Sequence, residues 1–131
     1  MSTYVREKVL RIPLEKLNLT FTEEEMDDLG WSIEKRFPAI FDYGTKGKFQ
    51  LSPTQSLFVD FVLDKEWDAD GEYGKTRALT DREKAKYLPM FQQIDPDVNM
   101  DFVRLVEFCW YNGCEAPDYY DHMNDPFYDE V

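Results

Sequence analysis

The longest apolar periodicity in the chain lies between Val98 and Asn112. At 100° per residue, Val98, Phe102, Leu105, Val106, Cys109 and Trp110 fall on one broad face, the pattern of a core-facing helix. Asp97 or Asn99 is placed to cap its start, and Gly113 suits a left-handed position just past its end. Met100, Phe108 and Tyr111 surround Arg104 on the other side, and a helix that is apolar nearly all round is buried on two sides. The spacing predicts a central helix whose second stripe receives another element.

The remaining segments predict shorter elements. Residues 4–14 alternate apolar Leu10, Ile12 and Leu14 with Val9, Arg11 and Pro13, a strand whose proline marks a sheet edge or the strand's end. Arg6, Lys8, Arg11 and Lys16 give it a local basic excess, a common protection of an edge strand. Thr22 and Glu25 form a capping box that opens a helix to about Phe37, with Met26, Leu29, Ile33 and Phe37 as its apolar face and Pro38 as its stop. Residues 39–43 and 48–51 flank Gly44 and Gly47, the spacing of a short hairpin. Ser52 and Gln55 are a further capping signal with Pro53 at the first helical position, and Leu57, Phe58, Phe61 and Val62 fit an inward helical face behind it. That short apolar run also fits a buried strand, but the caps favour a helix. Thr80 and Glu83 open another helix, which Pro89 breaks or kinks.

These elements predict an α+β fold, a mostly helical single domain of about four helices with a small antiparallel sheet of two or three strands. Residues 1–116 form the domain. Residues 117–131 are an acidic, tyrosine-rich segment with two prolines and no helical period. Tyr119, Tyr120, Met123, Phe127 and Tyr128 are too many large apolar groups for a solvated linker, so this segment is expected to pack on the domain.

Charge changes the picture more than hydropathy does. The chain carries a net charge of −12, of which residues 101–131 hold −7. Such a surface repels phosphate backbones, so direct nucleic-acid binding is not expected, and it attracts basic protein surfaces. No apolar run approaches the ~18 residues of a membrane span, no signal-peptide core opens the chain, and a cytoplasmic location is expected. Cys109 and Cys114 fit no metal or redox spacing and are expected to be reduced structural thiols.

Candidate chemistry is sparse. Asp64, Glu66, Asp68, Asp70 and Glu72 recur at every second position, which in an extended chain places five carboxylates on one side. They are not an EF-hand: with Gly71 at the loop glycine, the ninth position falls on Gly74 and the twelfth on Arg77, where a glutamate is required. Gly44 and Gly47 lack the spacing of a phosphate loop. His122, the single histidine, has Asp118, Asp121 and Asp125 as neighbours but no second ligand pair at helical spacing. Serine nucleophile motifs are missing, and Cys109 sits on an apolar face. Neither catalysis nor a cofactor or metal is expected.

The functional reading is a non-catalytic acidic module that docks on a basic protein surface, such as that of a nucleic-acid-binding protein. Its specific version is a nucleic-acid-mimicking inhibitor of the phage or mobile-element type, an analogy from size and charge. The acidic contacts would be Asp64, Glu66, Asp68, Asp70, Glu72, Asp118, Asp121 and Asp125. The aromatic anchors would be Trp31, Trp67, Tyr119 and Tyr120. The alternatives are a small metal-dependent enzyme using the clustered carboxylates, and a homo-oligomeric structural protein, such as a homodimer, built on the second stripe of the helix at 98–112.

Overall fold

A computed structural model describes residues 3–52, 57–67 and 74–112. Among them, β1 (Thr3–Pro13), β2 (Phe49–Leu51), β3 (Phe58–Trp67), β4 (Gly74–Ala78) and β5 (Arg104–Asn112) form one antiparallel sheet in the order β2-β3-β1-β5-β4. Of three helices, α1 (Glu23–Asp27), α2 (Leu29–Arg36) and α3 (Asp81–Gln92), the latter two contribute to a core on one face of that sheet, while α1 buries no residue. The mostly helical domain with a small sheet is therefore corrected to a five-stranded sheet with helices.

Two apolar runs expected as helices are strands, for one physical reason. On β3, Val59 and Phe61 face the helices while Asp60 and Val62 face the other way, and all four are buried. On β5, Leu105 packs against the helix-side core while Val106 and Phe108 are buried on the opposite side. A strand covered on both faces loses the polar half of its alternation, and a continuous apolar run also satisfies helical spacing. Asn99 does cap, but what it caps is a 3₁₀ turn over Met100–Phe102, where its side chain accepts from the Asp101 N–H at 2.9 Å.

β1 is the centre of the sheet, paired with β3 on one side and β5 on the other, so the basic edge strand is also corrected. Pro13 is its last residue, the position where a missing N–H costs no ladder bond. The expected hairpin around Gly44 and Gly47 is absent. Phe41 and Phe49 make a single parallel bridge, and β2 pairs with β3 through Phe49–Phe61 and Leu51–Val59. Gly44 and Gly47 do take left-handed φ values of 75° and 80°, a conformation suited to glycine.

Two of the three predicted capping boxes form: the Thr22 and Thr80 hydroxyls each accept from the N–H three residues on, and Glu25 and Glu83 reach back, whereas the third, Ser52 with Gln55, falls partly outside the described residues. The first helix nevertheless divides in two, because Asp28 leaves helical geometry at φ −136° and ψ 65°. Leu29 and Ile33 bury their side chains as expected, whereas Met26 is left exposed. Pro89 does not break α3, which runs on to Gln92. The carbonyl that proline leaves without a donor is that of Ala85, an exposed residue, where water can satisfy it.

One buried carboxylate fixes the turn that leads to β5. Burial pushes the Asp95 carboxyl up, but the Asn18 N–H at 2.9 Å, the Asp97 N–H at 3.0 Å and the Asn18 side-chain amide at 3.0 Å donate to it and hold it below the usual carboxylate range. A depressed folded-state pKa means stability that is present above the ordinary value of 3.8 and lost as pH falls through the folded one. The Arg77 guanidinium holds Glu83 down to about 2 and acts in the same acid window. Asp95→Asn is expected to cost about 2 kcal/mol at neutral pH and progressively less as pH falls below 4. Denaturant titrations across that range check it: a constant difference at all pH values would refute the role of the charge.

Candidate functional site

The described part of the acidic ladder lies on β3. An irregularity after Val62 makes Leu63 an extra residue: Val9 pairs with Val62, but Lys8 pairs with Asp64. This shift brings Asp64 and Glu66 onto the helix side of the sheet, opposite Lys8 and Arg6, and sends Lys65 and Trp67 to the other side. The two carboxylates do share one side, as their alternation predicts. They are also neutralised there: Arg6 pairs with Glu66, and Lys46 lies 3.3 Å from Asp64. The Lys46 ammonium and the Lys65 N–H hold the Asp64 carboxyl below the usual range. On the next strand Glu107 meets Lys8 at 3.8 Å. The basic excess of β1 thus serves cross-strand pairing.

On the opposite face, Arg11 of β1 and Asp60 of β3 form a fully buried two-bond pair, with Nε–Oδ1 at 2.7 Å and Nη2–Oδ2 at 3.0 Å. Ser52 accepts from Nη2 at 2.7 Å, and the guanidinium lies 4.7 Å from the Phe108 ring centroid. Glu7, also buried, accepts from the Gln50 amide at 2.8 Å. No buried side-chain polar atom among the described residues lacks a partner. These groups are a satisfied structural network.

A different surface combines acids with exposed apolar groups. Residues 22–34 contain six acids and no basic residue. Three of these acids occupy the first turn of α1, where the helix dipole favours them, but Asp27 sits at its C-terminal end, where the dipole does not. Glu25 is held by its own cap and by Arg36 at 3.1 Å, which lowers its pKa. Glu23, Glu24, Asp27 and Asp28 make no ion pair among the described residues. Met26 is 45% exposed and Trp31 64% exposed on this surface. α1 borders two depressions: one beside Trp31, lined also by Glu24, Asp28, Lys35 and Arg36, and one beside Met26 with mostly apolar walls.

Of the aromatic anchors expected from sequence, Trp31 and Trp67 are both exposed, and they lie on different elements, α2 and β3. The Lys65 ammonium stands 5.0 Å from the Trp67 ring centroid. Asp68, Asp70, Glu72, Asp118, Tyr119, Tyr120, Asp121 and Asp125 lie outside the described residues, as do His122 and Cys114. Cys109 is buried in β5. The second helical stripe through Met100, Phe108 and Tyr111 does not exist as a helix surface, because that segment is β5 and the turn before it. Among the described residues, no three His, Cys, Asp or Glu side chains are grouped to hold a metal, and no helix is long and apolar enough to cross a membrane. Compared with known proteins, the chain matches no family model, no curated protein and no solved structure.

Sequence reasoning missed Glu23, Glu24, Asp27 and Asp28 with Met26 as a joint surface. The acidic run was visible, but helix capping accounts for its first half, and Met26 fits the core stripe of a longer helix. Only the break at Asp28 turns Met26 outward.

Proposed function

We propose that this protein is a non-catalytic binding module that docks an acidic surface on a basic partner protein. The observation that carries this reading is the α1–α2 surface, where carboxylates without an ion pair stand beside exposed Met26 and Trp31. Unpaired like charges repel one another, and a basic partner relieves that repulsion while steering its own approach. Apolar anchors are needed as well, because charge governs encounter more than affinity. The described members of the 64–72 ladder support the reading less, being neutralised by Arg6 and Lys46. A nucleic-acid-mimicking inhibitor is the version of this module whose partner normally holds nucleic acid.

The test is capture on the immobilised full chain from its native cell, followed by reconstitution with the purified captured protein. The comparison is a variant carrying Glu23→Gln, Glu24→Gln, Asp27→Asn and Asp28→Asn, which leaves Thr22, Glu25 and their capping box intact. A basic protein should be held at low salt and released at high salt, and the variant should bind it at least about tenfold more weakly. Competition by nucleic acid would identify the mimic. Unchanged affinity and salt dependence in the variant, or no basic protein retained at low salt, would overturn the proposal.

A further inference from the structure

We infer that the apolar groove beside Met26 seats the apolar face of an amphipathic helix contributed by the partner, flanked by lysine or arginine. This rests on the docking reading above and assigns it a place and a mode. The groove has a volume of about 500 Å³ and runs between the end of β1, the 3₁₀ turn Leu14–Lys16, α1 and the start of β3. Pro13, Leu14, Leu19, Phe21, Met26 and Leu57 line it. Leu57 is 53% exposed and Met26 45% exposed, whereas Leu17 beneath them is buried. Apolar walls left open to water are the feature that a partner's side chains would cover.

The chemistry of the rim selects the occupant. Glu15 lines the groove, and Glu23 stands one helical turn before Met26 on the same side of α1. Nearby cations are already engaged: Lys16 lies 4.6 Å from the Phe102 ring centroid, while Arg36 holds Glu25 and donates to the Thr20 carbonyl at 2.9 Å. A second copy of this chain would bring the same acidic rim and a net charge of −12, so like charges oppose self-association here. A small polar ligand would find no buried unsatisfied group among the described residues to orient it.

The backbone selects the mode. The groove lies beyond the end of β1, where the Leu14 N–H already donates to the Leu57 carbonyl at 2.8 Å. Strand addition requires an open row of backbone groups along a sheet edge, whereas a helix engages a groove through its side chains alone. Anchors one turn apart on the incoming helix would fill the floor, and its basic flanks would meet Glu15, Glu23 and Asp27.

The experiment uses the full chain and three fluorescent peptides followed by anisotropy: an amphipathic leucine–lysine helix, its scrambled isomer with no apolar face, and the same helix with glutamate for lysine. The leucine–lysine helix should bind at least about tenfold more tightly than either control. Met26→Gln and Leu57→Asn should each weaken it by a similar factor with little change in thermal melting, since both side chains are exposed. Equal binding of the scrambled peptide, indifference to both substitutions, or no binding of any peptide would overturn the groove assignment. A dimer in light scattering that Leu57→Asn dissociates would overturn it in favour of self-association. Binding that survives Met26→Gln and Leu57→Asn but is lost in the four-amide variant would sink the groove alone and leave the acidic docking surface standing.

Discussion

Replacing Asp60 with alanine is expected to destabilise the fold by about 3–5 kcal/mol, because breaking a buried ion pair from one side removes the attraction and keeps the cost of burying the remaining charge. Both partners of the Arg11–Asp60 pair are fully buried, and each carboxylate oxygen accepts one guanidinium N–H. Ser52 also accepts from this guanidinium, which lies over the Phe108 ring. At roughly 4 °C per kcal/mol for a domain of this size, the melting temperature should fall by more than 10 °C. The informative comparison is the double change Arg11→Met with Asp60→Leu. Buried pairs replaced by apolar groups of similar volume are often near-neutral, so the double variant should recover most of the loss. A loss in the double variant as large as in the single one would show that the pair contributes net stability rather than only being costly to break.

That pair also shows how much of the fold was legible. The charges at Arg11 and Asp60 are visible in the sequence, but pairing them requires the β1–β3 register, in which Arg11 lies opposite Asp60 across 49 residues of chain. Local signals carried well. Thr22 with Glu25 and Thr80 with Glu83 form the capping boxes their spacing announces, since a cap is decided within four residues. The strand at β1 was legible for the same reason, through alternation at Leu10 and Ile12. Its central position was not, because neighbours in a sheet are set by distant segments. Phe58–Val62 and Leu105–Phe108 misled because burial on both faces erases the period that distinguishes strand from helix.

The candidate surface divides in the same way. The alternation of Asp64 and Glu66 correctly places both on one side of β3, yet their partners Lys46 and Arg6 come from a loop and from a neighbouring strand. The α1–α2 carboxylates looked accounted for by helix capping, and it took the break at Asp28 to expose Met26 beside them. Net charge alone does not locate a contact, because a sum over the sequence does not record which acids are paired.

Phe49→Ala is expected to cost about 3–5 kcal/mol, the range for removing a buried phenylalanine. β2 has only three residues, so its ladder to β3 is short and its side chains must hold it in place. Phe49 is the side chain that does so. Its ring centroid lies 5.0 Å from that of Phe61 on β3, 5.2 Å from Phe91 on α3 and 5.7 Å from Phe41 in the preceding loop. Edge-on contacts with Phe61 and Phe91 tie the sheet to α3 through one residue. The cavity left by alanine borders three separate elements, none of which can close it without moving from the others. Trp31→Ala and Trp67→Ala remove larger rings, but from exposed positions, and should stay within about 0.5 kcal/mol of wild type. Equilibrium denaturation of the three variants decides the matter: a Phe49→Ala loss no larger than that of the tryptophan variants would mean that β2 is not anchored through this cluster.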